Sequence, residues 1–266
     1  EQKILKGIAF LRASGGRRTL GSVLLEARSI VAMIRSFPGV HDVAIAGSMR
    51  RRKETIGDID ILVSSERKKE ITERFLSLPF VADVQGSGET KTSVRLKNGM
   101  DCDLRVVPPA SWGAALQYFT GSKEHNVALR EIAIKKGLKL NEYGLFRGKK
   151  AVAGRTEEEV YKALGLAYIE PELREDTGEI EAARKGALPA LVGYNDLKGD
   201  LQVQTDWTDG EDSIEKMAHA AMAAGLEYIA ITDHTKSLAM TGGADEKKLL
   251  RQMGEIDTLN KKFKQK

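Results

Sequence analysis

Gly47-Ser48-Met49-Arg50-Arg51 followed by Gly57-Asp58-Ile59-Asp60-Ile61-Leu62-Val63 is the stretch on which the fold turns. A glycine-serine turn runs into a basic turn, and two carboxylates then sit two apart in an aliphatic, β-branched run. Side chains at i and i+2 of a strand point to one face, so Asp58 and Asp60 converge. The apolar residues around them offer no cationic partner, and burying two unpaired carboxylates together is costly. A cation is therefore expected between them. Mg²⁺ fits, because it takes carboxylate and phosphate oxygens in one shell. The glycine turn and the arginines suit the phosphates. The pattern predicts a site for nucleotidyl transfer.

Working outward, apolar spacing predicts a helix over residues 20–37, ended by Pro38-Gly39. A strand at 43–46 precedes the turn, and a helix at 68–78 follows the acidic strand. Strands at 94–96 and 100–107 join through a Lys97-Asn98-Gly99 turn. The second of them carries Asp101 and Asp103, again on one face. Paired across the sheet with Asp58 and Asp60, it supplies a third carboxylate, and spacing alone does not choose between Asp101 and Asp103. Taken singly, a solvated Asp-x-Asp at a strand end is the commoner reading of such a pair. Residues 112–137 read as mostly helical and 141–147 as a hairpin. The start, residues 1–11, reads as an amphipathic helix with neither cap nor initiator Met, the end of an upstream region of a longer chain. Residues 170–189 read as a charged linker bounded by prolines. A strand at 198–204, a helix at 213–224 and a buried strand at 228–232 then imply a parallel sheet.

The 266 residues leave room for two domains. Hydrophobic content of 41% and charged content of 30% are ordinary for a soluble globular chain. No apolar run is long enough to span a membrane, and no signal sequence opens the chain. The single cysteine, Cys102, excludes an internal disulfide and a cysteine-based zinc site, and suits a cytoplasmic location. Residues 1–150 carry 27 Lys+Arg against 16 Asp+Glu, whereas residues 151–266 carry 15 against 22. A basic first part points to a polyanion such as nucleic acid.

Five ordered motifs carry a family resemblance: Gly47-Ser48-Met49-Arg50-Arg51, Asp58-Ile59-Asp60, Asp101-Cys102-Asp103-Leu104-Arg105, Tyr118-Phe119-Thr120-Gly121-Ser122 and Asn141-Glu142-Tyr143. Together they resemble DNA polymerase family X over roughly residues 17–166. The resemblance implies an α+β polymerase-beta-like nucleotidyltransferase palm with a helical flanking subdomain. The implied reaction is template-directed transfer of a deoxynucleotide to a primer 3′-hydroxyl, in short-gap filling during DNA repair. It implies Asp58, Asp60 and Asp103 as catalytic ligands of two Mg²⁺ (or Mn²⁺) ions. The distance from Asp103 to the Tyr118 motif selects it over Asp101. Ser48, Arg51 and Arg18 are implied at the triphosphate. Tyr118, Phe119 and Gly121 are implied against the sugar, Asn126 and Arg130 at the minor-groove edge of the nascent pair, and Arg105 and Glu142 in a network coupled to closure. The implied partners are gapped or primed DNA and a dNTP, bound by a monomer and with no membrane. One departure is Arg52, where the family often has glycine, which puts the turn geometry there in question.

The second part resembles the start of a polymerase-and-histidinol-phosphatase (PHP) domain, a seven-stranded β/α barrel with a metal cluster. The residues are Gly199-Asp200-Leu201-Gln202-Val203-Gln204-Thr205, Thr208-Asp209-Gly210 and Ile231-Thr232-Asp233-His234-Thr235. Asp233 and His234 keep ligand character for Mn²⁺ or Zn²⁺ in the complete domain. Gln202 and Gln204 stand where the family usually offers His-x-His, and a neutral amide is a poor ligand beside imidazole. Nuclease activity is not supported by this stretch, and His125 and His219 read as packing or surface residues. The expected organisation is therefore the end of an upstream helical DNA-binding region (1–19), a palm (20–110), a nucleotide-binding subdomain (111–168), a linker (169–197) and the first β/α units of a PHP barrel (198–266). Two alternatives stand beside it: a nucleotidyltransferase for RNA or a small acceptor on the same palm, and a DNA-binding scaffold with vestigial catalytic residues. The Tyr118 motif and the linker speak against the first, and the intact aspartates against the second.

Overall fold

The computed structural model describes residues 16–88 and 90–263, so the helix expected at 1–11 lies outside the described residues. Two units are present, Glu1–Pro189 and Ala190–Lys266. In the first, β1 (Arg18–Thr19) leads into α1 (Leu20–Arg35), whose Val23, Ala27, Ile30 and Ile34 recur at helical spacing and are fully buried. The helix ends ahead of Pro38, which lacks the amide needed to continue it.

Next come β2 (Asp42–Ile45), the single turn α2 (Gly47–Arg50), β3 (Thr55–Ile56), β4 (Asp58–Ser64), α3 (Lys68–Leu76), β5 (Val81–Ser87), β6 (Thr92–Leu96) and β7 (Asp101–Val107). The five longer strands form one mixed sheet in the order β2-β4-β7-β6-β5. Strands β4 and β7 run parallel, with Asp58 opposite Asp101 and Asp60 opposite Asp103. Alternation then sorts the side chains. Ile59, Ile61, Val63, Cys102, Leu104 and Val106 join α1 and Ile71 and Phe75 of α3 in one core. Each fully buried aliphatic side chain there contributes roughly 1.5–3 kcal/mol. On the other face, Leu62 and Val107 are covered by Ala115, Leu116 and Phe119 of α4 (Trp112–Thr120). The aspartate ends of β4 and β7 share that face but lie beyond this cover.

The helical stretch expected at 112–137 is two helices, α4 and α5 (Lys123–Lys135), broken at Gly121–Ser122, a cis peptide. The Ser122 hydroxyl caps α5 by accepting the His125 amide at 3.1 Å. The expected hairpin is a three-stranded antiparallel sheet of β8 (Lys139–Asn141), β9 (Gly144–Arg147) and β10 (Lys150–Ala153). After it, α6 (Glu157–Leu164) packs so close to α4 that a Cβ on Gly113 would overlap the Thr156 backbone. A second core gathers Ala114, Leu129, Leu140, Leu145, Val160, Tyr161 and Leu164.

The stretch expected as a linker from residue 169 is not a free connector over its first half. Ile169 and Ala183 are buried in the second core, and Arg174 is 0% exposed, with α7 (Glu179–Lys185) packed behind it. The charged residues that suggested a solvated linker instead pair with one another and with the turn after α2.

In the second unit, β11 (Gly199–Val203) and β12 (Tyr228–Ile231) pair in parallel through α8 (Ile214–Ala223), as the β-α-β order implied. A long helix, α9 (Glu246–Phe263), follows. Strand β12 is not the buried strand expected: its residues are half-exposed, and Tyr228 is 55% exposed. No described helix is long and apolar enough to cross a membrane.

Candidate active site

The parallel register of β4 and β7 places ligand atoms of Asp58, Asp60 and Asp103 within 4.8 Å of one another. Asp101 is turned out of this group: Arg95 is ion-paired to it, and Gln85 donates to its Oδ1 at 2.9 Å. The choice that spacing left open falls on Asp103. Among the described residues, no salt bridge reaches Asp58 or Asp60. Burial pushes the Asp60 carboxyl up to about 7, and the like charges of Asp58 and Asp103 add to the effect. Asp58, nearer the rim, is raised by burial and then by Asp103. Asp103 is held from the neighbouring strand side, where the Ser93 hydroxyl donates to Oδ1 at 2.7 Å and the Lys91 ammonium bonds Oδ2. Three hard oxygen donors, with Asp58 and Asp60 raised by burial and by neighbouring like charge, are a donor set that fits Mg²⁺ or Mn²⁺.

The turn above the carboxylates depends on Gly47. It sits at φ +60°, and a Cβ there would overlap the Asp60 carboxylate. The Ala46 amide donates to the Asp60 carbonyl at 2.8 Å, which ties the turn to β4. Ser48 is half-buried on this turn. Arg51 donates from Nη1 to the Thr120 carbonyl and from Nε to Glu175 Oε1 at 2.8 Å. Arg52 adopts φ +57°, the left-handed conformation that explains why glycine suits this place. Its side chain reaches Glu172 only at 3.8 Å, half-exposed. The Cβ at 52 is therefore a net strain. Arg52→Gly is expected to be about 1 kcal/mol more stable than Arg52→Ala in urea denaturation, since both lose the weak pair and only Ala keeps the Cβ. Equal stabilities would show that the turn relaxes freely.

The other expected residues divide. Tyr118 and Phe119 stack edge to face with centroids 5.1 Å apart, and the Arg105 guanidinium lies 4.3 Å over the Phe119 ring. Arg105 also lowers Asp60 electrostatically, so it links the aromatic pair to the carboxylates. Gly121 packs beside the Arg51 guanidinium. Asn126 is buried rather than presented at a surface: it accepts from Gln117 at 2.6 Å and donates to the Tyr118 carbonyl at 2.7 Å. Arg130 and Glu142 lie half-buried on α5 and at the β8–β9 turn, and the structure brings neither into the cluster. Arg18 donates to the Asn98 carbonyl, and it is Arg17 whose charge acts on Asp58.

Sequence reading passed over Lys91 and Ser93, and also a buried network. Glu157 accepts from Arg50 at 2.9 and 2.6 Å, from Tyr168 at 3.2 Å and from Arg174. His125 is neither a surface residue nor a plain packing one: it is sealed between Glu179 at 2.6 Å and the Tyr161 hydroxyl at 2.9 Å.

In the second unit, Asp233 and His234 do not form a ligand cluster. The Asp233 carboxylate accepts from the Thr205 amide and hydroxyl, both at 2.6 Å, from Thr208 at 2.8 Å and from Gln252. Burial would raise this carboxyl, but those bonds outweigh it and hold the group below its usual range. His234 Nε2 faces Asp209 at 3.6 Å. Gln204 donates to Thr232 at 3.4–3.5 Å, and Gln202 is exposed. Among the described residues the aspartate trio of the first unit is the only such metal-ligand group.

Family models describe residues 24–99 as a DNA polymerase beta palm and residues 115–175 as a DNA polymerase beta thumb. The chain is 35% identical over 267 residues to the DNA polymerase/3′-5′ exonuclease PolX of Bacillus subtilis, matching 99% of this chain and 46% of that protein. It is 30% identical over 141 residues to the Repair DNA polymerase X of African swine fever virus, covering 50% of this chain and 81% of the viral one. A solved ternary P/T complex of Leishmania infantum polymerase beta superposes with a TM-score of 0.53 at 25% identity, covering 64% of this chain and 80% of that one. The chain thus spans under half the length of the Bacillus relative.

Proposed function

The chain belongs to the X family of DNA polymerases, and from that premise we propose that its first unit adds a deoxynucleotide to a primer 3′-hydroxyl on a DNA template, in short-gap repair. The observation that carries this reading is the parallel register that brings Asp58, Asp60 and Asp103 together under the Gly47 turn. Asp58, Asp60 and Asp103 would hold two Mg²⁺ or Mn²⁺ ions. Such ions supply charge stabilisation at the transferring phosphorus and a more acidic attacking hydroxyl.

The chain's own groups do the rest. Asp103, fixed by Ser93 and Lys91, stands as the carboxylate nearest the primer terminus. Ser48 and Arg51 meet the triphosphate, where a planar guanidinium suits paired phosphate oxygens. Tyr118, Phe119 and Gly121 form the wall against the sugar. Asn126 acts from below by fixing the Tyr118 carbonyl, and Arg105 on Phe119 couples that wall to Asp60. Arg130 and Glu142 are left for DNA contact and closure, and Arg18 for the turn at Asn98. The basic excess of residues 1–150 supports a DNA backbone as the partner.

The second unit is read as the beginning of a PHP domain, supported by the parallel β-α-β unit and by a Bacillus relative, named for both activities, that aligns over nearly all of this chain. With Asp233 saturated by hydrogen bonds and glutamines at 202 and 204, no nuclease role is assigned to it.

The test is extension of a primer across a one-nucleotide gap with Mg²⁺ and each dNTP offered singly. Incorporation of the template-matched nucleotide alone is expected. Addition of ATP or CTP without regard to template would replace this reading with transfer to another acceptor.

A further inference from the structure

We propose that Glu175 is a built-in competitor for the triphosphate, a carboxylate that neutralises the phosphate-binding arginine until a nucleotide displaces it. This deepens the reading above and rests on it. The Glu175 carboxylate lies 2.8 Å from Arg51 Nε and 3.5 Å from Lys53 Nζ, so one anionic group serves two cations. Arg51 Nη1 is held on the Thr120 carbonyl. Its Nε donates to a single Glu175 oxygen, a donor that an arginine also offers to a phosphate oxygen. The pair borders an open cleft of about 340 Å³ lined by Arg51, Arg52 and Lys53 and by three carboxylates, Glu54, Glu172 and Glu175. Cations and carboxylates balance there, so a chain of phosphates enters only as a carboxylate gives way.

The backbone presenting Glu175 cannot swing away easily. Its neighbour Arg174 is sealed from solvent and bonded to Glu157 and, at 2.9 Å, to the Ile169 carbonyl. Displacement is then a rotation of the Glu175 side chain alone. A triphosphate, carrying several charges, replaces the single carboxylate and gains energy. A lone phosphate gains little over what it removes. The contact thus selects for polyphosphate and holds down affinity for it.

Inorganic tripolyphosphate and orthophosphate, titrated calorimetrically into the full chain, test this. Glu175→Gln is expected to bind tripolyphosphate about threefold to tenfold more tightly, in line with loss of a partly exposed ion pair. Arg51→Ala is expected to weaken binding. The direction is what discriminates, because damage to the loop would lower affinity, not raise it. Glu172→Gln, whose pair is longer and more exposed, is expected to change affinity by less than about twofold. Unchanged or weaker binding by Glu175→Gln overturns the inference, as does an equal gain in Glu172→Gln, which would mean only a generic loss of negative charge. If wild type, Glu175→Gln and Arg51→Ala all bind alike, the placing of the triphosphate at Arg51 falls as well. The gap-extension assay judges the polymerase reading separately.

Discussion

Asp60→Asn is expected to lose primer extension by about a thousandfold or more while making the metal-free protein more stable at pH 8. The two effects share one cause. In the folded chain burial and the Asp58 and Asp103 charges push the Asp60 carboxyl up to about 7, against 3.8 in an unperturbed peptide. Between those values the folded chain holds a proton that the unfolded chain has released. Stability therefore falls as pH rises through the window, and the whole penalty is present above about pH 7. The full shift corresponds to an upper bound of about 4 kcal/mol, and relaxation and water at the rim reduce this to roughly 2 kcal/mol. The asparagine amide is neutral at every pH, so the variant escapes the penalty.

The measurement is a pair of urea melts at pH 5 and pH 8 with chelator present. Wild type should weaken between the two relative to Asp60→Asn. Added Mn²⁺ should then raise the wild-type midpoint, because binding to the folded state alone stabilises it, and should do much less for the variant. A variant less stable than wild type at pH 8 without metal would mean that Asp60 is stabilised by protein groups, and that the trio is not built around an absent cation. In wild type, Mn²⁺ affinity should also fall as pH drops below about 7, since the ion must then displace a proton from Asp60.

How much of this centre was legible depends on the distance along the chain. The Asp58–Asp60 face follows from strand alternation alone. The link to Asp103 needed the parallel register of β4 and β7, which no local pattern encodes. Ser93 was within reach: a hairpin closing at Lys97-Asn98-Gly99 pairs it with Asp103 by simple counting back along both strands, and Lys91 stands just before the strand that carries it. The Arg52 strain was flagged by the missing glycine. The burial of Asn126 was not legible, because helical spacing does not tell a solvated face from one pressed onto the preceding helix. Gln117 and the Tyr118 carbonyl decide that, and they belong to tertiary packing. The segment after Ile169 was misjudged for a stronger reason. Prolines and charges mark a linker in most chains, but here Glu175 and Glu172 find partners more than a hundred positions away, at Arg51 and Arg52. No local pattern encodes such pairs.

Glu157→Ala is expected to destabilise the first unit by about 3–5 kcal/mol, a figure typical of breaking a buried ion pair from one side. Glu157 receives two bonds from Arg50, one from Arg174 and one from Tyr168, while Arg174 itself is sealed between the Tyr161 and Tyr168 rings at 5.2 and 5.3 Å. Burial would raise the Glu157 carboxyl, yet the Arg50 and Arg174 bonds outweigh it and hold it below the usual range. Removing the carboxylate leaves a guanidinium with no route to water, and its Nη2 already lacks a partner. The alternative is a network hydrated enough to absorb the loss. In that case the unfolding free energy from urea melts would change by less than about 1 kcal/mol. Glu157→Gln separates shape from charge: it keeps the side chain's length and should lose less than the alanine variant. The wild-type network should weaken as pH falls below about 4.5, through the depressed folded value, because there the folded carboxylate takes up the proton that the unfolded chain has already bound. The consequence reaches the active site by one residue. Arg50 ends the turn that begins at Gly47, and Arg51 follows it, so unhooking Arg50 from Glu157 frees the backbone that sets both the triphosphate arginine and the glycine seated against Asp60. A variant that still folds at low temperature should therefore bind nucleotide more weakly with its three aspartates intact.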